Sequence, residues 1–212
     1  MEFAALCIEA DSNGLQIAVH AVGDGAVRAT LDGYEAARTT NGPRDSRHRI
    51  EHIDMIHPAD LPRLKALGVV ASMQPVHPPG LAGLPLEPTV SIMGPSRWKD
   101  TFAWRAIKDQ GVVVAFGTDW PVSPLSPLHA LHCALSRKPW GADLPDQRLT
   151  LDEAVAAYTS AGSHALFTEG LRGQVAVGMR ADLVLLRGDL AGLAQRVDAV
   201  EIAGVYLDGE QA

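Results

Sequence analysis

His20, His52 and Asp119 are the residues whose types and positions could do chemistry. The two histidines close short apolar runs, LQIAVHA (15–21) and RHRIEHI (47–53), and Asp119 stands two residues beyond a third, VVVAFG (112–117). A carboxylate at the tip of a run that reads as buried asks for a partner, because an unpaired charge removed from water is costly. Counting alternate residues puts Gln16, Ala18 and His20 on one face, His48, Ile50 and His52 on another, and Val113, Ala115, Gly117 and Asp119 on a third. Two imidazoles and a carboxylate are then presented at the C-terminal ends of three strands, where α/β sheets and barrels place their sites. That donor set suits a zinc-type divalent ion. The small Ala115 and Gly117 below Asp119 leave room for other groups to approach. The plainer reading of each residue alone is a histidine bonded to backbone or an aspartate capping a turn; three at equivalent ends favour the metal.

The elements needed to position these residues alternate. Strands at 15–21, 47–53, 69–75 and 112–117 are separated by helical patterns at 23–40, 57–68 and 98–111, so the spacing predicts parallel strands covered by helices. A Pro/Gly-rich stretch over 75–95 is long for a connection and is a candidate substrate loop. Further helices are expected over 128–137 and 150–167, the second opened by a Thr150–Glu153 capping box. The remainder reads as strand over 173–189 and as a hairpin over 198–210 turning at Ala203-Gly204. The expected division is 1–170 for the strand–helix part and 171–212 for a small β portion.

Composition narrows the function classes. The chain has 212 residues, 47% of them hydrophobic, and a formal net charge of −7. Without a Lys/Arg stripe it offers no electrostatic footprint for nucleic acid. No apolar run reaches the roughly 20 residues of a membrane helix. Cys7 and Cys133 are far apart, so a disulfide framework is not expected. The expected location is the cytoplasm, and the expected partner is a small molecule rather than nucleic acid or membrane.

The segments VHAVGDGAV (19–27), RIEHIDMI (49–56), ASMQPVHP (71–78), GTDWPVSPLSPL (117–128) and GQVAVGMRADLVLL (173–186), in that order, resemble the metal-dependent amidohydrolase superfamily. Its family 3 branch, which includes the N-substituted formamide deformylases, is the nearest likeness. The resemblance implies a (β/α)8 TIM barrel with a β-sandwich and a site of one or two divalent ions, usually zinc. It matches His20 to the histidine ligand of the fifth barrel strand, His52 to that of the sixth and Asp119 to the aspartate of the eighth. Asp119 is then both ligand and general base in hydrolysis of a carbon–nitrogen bond of an amide, formamide or cyclic amide. The family's HxH pair is nowhere in this sequence, and four strand–helix units are found where the barrel needs eight. The fold expected is thus a partial barrel, about the last four β/α units, followed by a small C-terminal β-sandwich portion. The uncapped helix expected at MEFAALCIEADSNG fits that reading as a fragment.

Four further expectations complete the site. His77 and Trp120 are candidate substrate contacts; a solvated loop histidine and a packed aromatic are their plainer alternatives. Asp24 is a candidate orienting group for a ligand, against a role as N-cap of a helix beginning at Gly25. His48 is expected to be structural, and Arg49 and Glu51 to point away from the ligand face. The rival function is a catalytically silent half-barrel serving only as a scaffold or assembling module. A half-barrel exposes strand edges and an apolar side, so homo-oligomer formation through that face is expected. A non-metal doubly wound binding protein fits poorly, because HAVGDGAV lacks the third glycine of a phosphate loop.

Overall fold

The computed structural model describes residues 2–212 and divides into two compact units. The first comprises the chain up to Met73 with Leu86–Val114 and Pro139–Gln147; the second comprises Gln74–Pro85, Ala115–Lys138 and Arg148–Ala212. Four strands, β1 (Ala18–Ala21), β2 (Arg49–His52), β3 (Val70–Met73) and β4 (Val113–Phe116), form one sheet in sequence order. β1, β2 and β3 pair in parallel, as the alternation of strands with helices requires.

In the first unit, helix α1 (Phe3–Ser12) lies against α2 (Asp24–Asn41). A Cβ at Gly33 would come within 2.6 Å of Phe3 Cε1 and 2.9 Å of the Cys7 sulfur, so this close approach needs glycine. α2 buries Val27, Leu31 and Tyr34 at helical spacing and ends at Gly42, whose φ of +88° stops the helix. Helix α3 (Leu61–Ala66) follows a 3-10 turn, and its Arg63 reaches Asp32 and Glu35 of α2 as well as Asp60.

A buried polar network fixes the N-terminal ends of β1 and β2. The Ile17 N–H donates to His48 Nδ1 (3.1 Å), which leaves His48 Nε2 to face Asp11 Oδ1 at 3.2 Å. Arg44 Nε and Asn41 Nδ2 donate to the same carboxylate at 2.6 and 2.9 Å. Burial alone would raise the Asp11 pKa, but the Asn41 and Arg44 hydrogen bonds and the Arg44 charge outweigh it and hold the carboxyl below its ordinary value. Burial lowers the His48 imidazole, against the pull of Asp11. His48 is therefore structural, as expected.

In the second unit, α6 (Pro127–Ser136) opens with Ser126 accepting from the His129 N–H, and α7 (Leu151–Tyr158) with a complete Thr150–Glu153 capping box. Val76, Ala130 and Cys133 form a small core with Leu81, Ala82 and Tyr158 packed on it. A separate antiparallel sheet holds β5 (Leu183–Gly188), β6 (Val200–Leu207) and β7 (Glu210–Gln211).

Three local expectations are corrected. After the short α4 (Thr89–Met93), the single helix over 98–111 is a 3-10 helix, Pro95–Asp100, and α5 (Trp104–Asp109); Thr101 between them bridges to Met55 and Phe102 turns at φ +45°. The helix over 150–167 breaks at Thr159 into α7 and α8 (Ser160–Ala165). The hairpin does not turn at Ala203-Gly204. β6 runs straight through, with Leu185 opposite Gly204 and Leu186 opposite Ile202, so Ala203 is the extra residue of a bulge. The turn comes at Asp208-Gly209, both with positive φ, the Asp-Gly pairing that a tight hairpin prefers.

Candidate metal centre

His20 lies in β1 and His52 ends β2, and their rings stand edge to face with centroids 4.4 Å apart. Strict alternation does not account for this. The register sets His20 level with Glu51 and Ala21 level with His52, so a regular sheet would send the two imidazoles to opposite faces. Glu51, not His52, shares the face of His20, which corrects the expected assignment of β2. What brings the rings together is the backbone: His52 has φ +81° and Ile53 φ +53°, so the chain turns out of the strand at the histidine. Left-handed φ in a bulky or β-branched residue carries strain and gathers at functional sites. His52 is buried at 9% exposure, whereas His20 is exposed.

Asp54 follows two residues later. Burial pushes its carboxyl up to about 6, against the opposing charge of His52. The sequence reading missed Asp54, although its even spacing from His48, Ile50 and His52 was visible. Arg49 pairs with Glu51 at 3.1 Å. Asp24 is the first residue of α2, with Gly23 as the N-cap, so the helix begins one residue earlier than expected and Asp24 is not its cap. The Asp24 carboxylate accepts from the Gly25 N–H (3.0 Å) and pairs with Arg97 at 2.8 Å. Nothing in the sequence signalled Arg97.

In the second unit, Asp119 has φ +57° and its Oδ2 lies 3.8 Å from His77 Nε2. Two of the three expected ligands, His52 and Asp119, thus sit on left-handed backbone. Trp120 is 64% exposed and is not a packed core aromatic. The Tyr158 hydroxyl donates to the Gly117 carbonyl, and its ring meets Phe116 edge to face, which steadies the end of β4 below Asp119. The other histidines have local roles: His57 accepts from the Ala59 N–H, His132 Nδ1 meets the Leu193 carbonyl at 2.6 Å, and His164 lies 4.0 Å from Glu169.

The donors fit a divalent ion by their chemistry. Neutral imidazoles offer a lone pair and carboxylates a charge, the donor types that such an ion takes.

The pattern of the Amidohydrolase family matches residues 1–212. The chain is 32% identical over 206 residues to Protein LONG AFTER FAR-RED 3 of Arabidopsis thaliana, covering 95% of this chain and 35% of that one. It is 30% identical over 208 residues to the N-substituted formamide deformylase of Arthrobacter pascens, covering 96% and 38%. Among solved structures, an uncharacterized metal-dependent hydrolase from Pyrococcus horikoshii OT3 superposes with a TM-score of 0.73 at 26% identity, over 90% of this chain and 38% of that one. The chain thus spans little more than a third of the length of these relatives.

Proposed function

The chain belongs to the Amidohydrolase family, and from that premise we propose that it carries part of the catalytic centre of a metal-dependent hydrolase of non-peptide carbon–nitrogen bonds. The substrates are amides, formamides or cyclic amides. His20, His52 and Asp119 hold one or two divalent ions, zinc foremost, within the last four units of a partial TIM barrel over 1–170, with 171–212 as a β-sandwich portion. The observation that carries this reading is the His20–His52 ring pair, 4.4 Å apart and formed at the cost of a left-handed His52.

His20, His52 and Asp119 would hold the ion, whose chemistry there would be to polarise a substrate carbonyl and acidify a water. Asp119 accepts that water's proton and delivers it to the departing nitrogen, the two halves of general base and general acid work. His77, whose Nε2 lies 3.8 Å from Asp119 Oδ2, contacts substrate in this reading. Trp120, exposed next to the aspartate, offers an apolar wall for the substrate's substituent. The rival reading is that these residues serve only as a scaffold or assembling module. Self-association through the exposed half-barrel face is expected in either case.

The test is metal content after dialysis against trace zinc, for the parent chain and for His20→Ala and Asp119→Ala, followed by turnover on formamides and cyclic amides. Stoichiometric zinc lost in both variants, with formate or ring-opened product from the parent, supports the enzyme. A parent without bound metal or turnover leaves the scaffold reading standing.

A further inference from the structure

The N-terminal ends of β1 and β2 meet at an imidazole where a regular ladder would have a backbone rung. The Arg49 N–H donates to the Ile17 carbonyl (2.8 Å), but the Ile17 N–H finds its acceptor in His48 Nδ1 (3.1 Å). Arg47, on left-handed backbone at φ +44°, gives its carbonyl to Gln16 Nε2 (2.7 Å). A ring nitrogen that accepts carries no proton, so the His48 proton sits on Nε2 and faces Asp11 Oδ1 at 3.2 Å. His48 therefore holds Ile17 only while it is neutral. A second proton, on Nδ1, sets donor against donor.

Among the groups gathered here, His48 is the one whose charge changes near neutral pH. α1 contributes Asp11, which its partners hold below the ordinary carboxylate value, so it stays ionised. α2 contributes Tyr34, whose ring lies 4.8 Å from the imidazole and whose hydroxyl is pushed up by burial, so it stays neutral. Arg38 of α2, Arg44, and Arg47 with its partner Asp45 at 2.8 Å supply guanidiniums that keep their charge throughout. The residue that follows α3 on this side, Leu67, is apolar. Burial lowers the His48 imidazole, Asp11 draws it up, and the Arg44 charge pushes it down again, with a net fall. Solvent reaches the ring, because His48 lines a small open cavity with Arg38, Ser46 and Leu67. A proton can arrive there without the sheet coming apart.

We propose that His48 is a proton-operated latch: protonation at Nδ1 releases the Ile17 N–H, and with it the segment 13–17, from β2, while α2 and the rest of the parallel sheet stay formed. Ile17 leads directly into β1, which carries His20, so the open latch loosens the root of a strand that bears a candidate ligand. The device lies at the opposite end of the β1–β2 pair from that ligand and does not rest on the hydrolase reading.

The experiment is residue-resolved amide hydrogen exchange on the 212-residue chain and on His48→Gln, as pH is lowered from about 7.5 to about 4.5, with the His48 tautomer read from its ring nitrogen resonances. At the upper pH the ring is expected to be the neutral Nε2–H form. As pH falls below about 6.5, the opening constant of the Ile17 amide, corrected for intrinsic exchange, is expected to rise by up to about tenfold per pH unit until the folded value of His48 is passed, the slope of one linked proton. The Leu31 amide, in the middle of α2, stays flat over the same range. In His48→Gln, whose side-chain oxygen accepts from Ile17 but does not titrate, Ile17 stays flat as well. An Nδ1–H tautomer, an Ile17 opening that ignores pH, a pH dependence that survives in His48→Gln, or a parallel rise at Leu31, which would be global unfolding, overturns the proposal. Should His48→Gln not fold, the tautomer and the contrast between Ile17 and Leu31 in the parent decide the matter alone.

Discussion

The two ends of the β1–β2 pair use the same residue types for opposite ends. At the N-terminal end, His48, Asp11 and Arg44 meet with Asn41 in a closed set: both His48 ring nitrogens and both Asp11 oxygens have partners. At the C-terminal end, His20, His52, Asp54 and Arg97 carry left-handed backbone, a carboxyl pushed up by burial, and a guanidinium with donors to spare. One end satisfies its polar groups internally and so contributes stability. The other leaves binding capacity and stores strain, which costs stability and makes chemistry available. Residue type alone does not distinguish a structural histidine from a candidate ligand; what differs is the setting, a closed polar network around His48 and a left-handed backbone at His52.

The comparison breaks most sharply if the C-terminal end proves dispensable for function. His20→Ala or His52→Ala is expected to lower metal affinity by more than the roughly 10- to 100-fold that loss of an outer partner costs, read by zinc competition with a chelating dye. Retention of parent affinity in His52→Ala would remove it from the site.

At the other end, Asp11→Ala leaves Arg44 and His48 facing an emptied buried position. A loss of about 3–5 kcal/mol in urea unfolding is expected, with metal binding per folded molecule unchanged. A loss under about 1 kcal/mol would mean that the network is ornamental.

Acid sharpens the contrast. Both Asp11 and His48 have folded values below their unfolded ones, so the unfolded chain binds more protons and stability falls as the pH is lowered. The His48 share is present above about pH 6.5 and is lost as pH falls through its folded value; the Asp11 share is present above about pH 3.9 and is lost below it. Asp54 acts with the opposite sign, since its raised value makes folding more favourable as pH drops through about 6. The difference in urea midpoint between the parent and His48→Gln cancels Asp54 and should narrow as pH is lowered below 6.5. A difference independent of pH would mean that His48 is not held neutral.

Two smaller effects bound the picture. Tyr34→Phe removes the hydroxyl that donates to the Arg49 carbonyl at 2.6 Å and should cost about 1 kcal/mol by thermal unfolding. His52→Gly should change stability by less than about 1 kcal/mol, because relief of the left-handed φ offsets the lost ring contact. A large destabilisation there would make His52 a structural residue like His48.

Much of this was legible in the chain itself. The four parallel strands, α2, and the caps of α6 and α7 follow from apolar period and cap chemistry, which are local. The candidate ligands were legible because each ends an apolar run. The face of His52 was not, because the left-handed pair His52-Ile53 turns the chain out of the strand and no side-chain pattern records it. The break at Thr101 was hidden because its cause, the bridge to Met55, lies far away in sequence. The Asp208-Gly209 turn was legible and was missed in favour of Ala203-Gly204, where the glycine marks a bulge.

Period and motif order, both written along one chain, carry the α/β class and the family. Only the fold closes the polar network around His48, turns His52 toward the His20 ring and pairs Arg97 with Asp24. Those depend on backbone torsions and on contacts between distant segments, where the free energy is set by what meets in space rather than by what is adjacent in the chain.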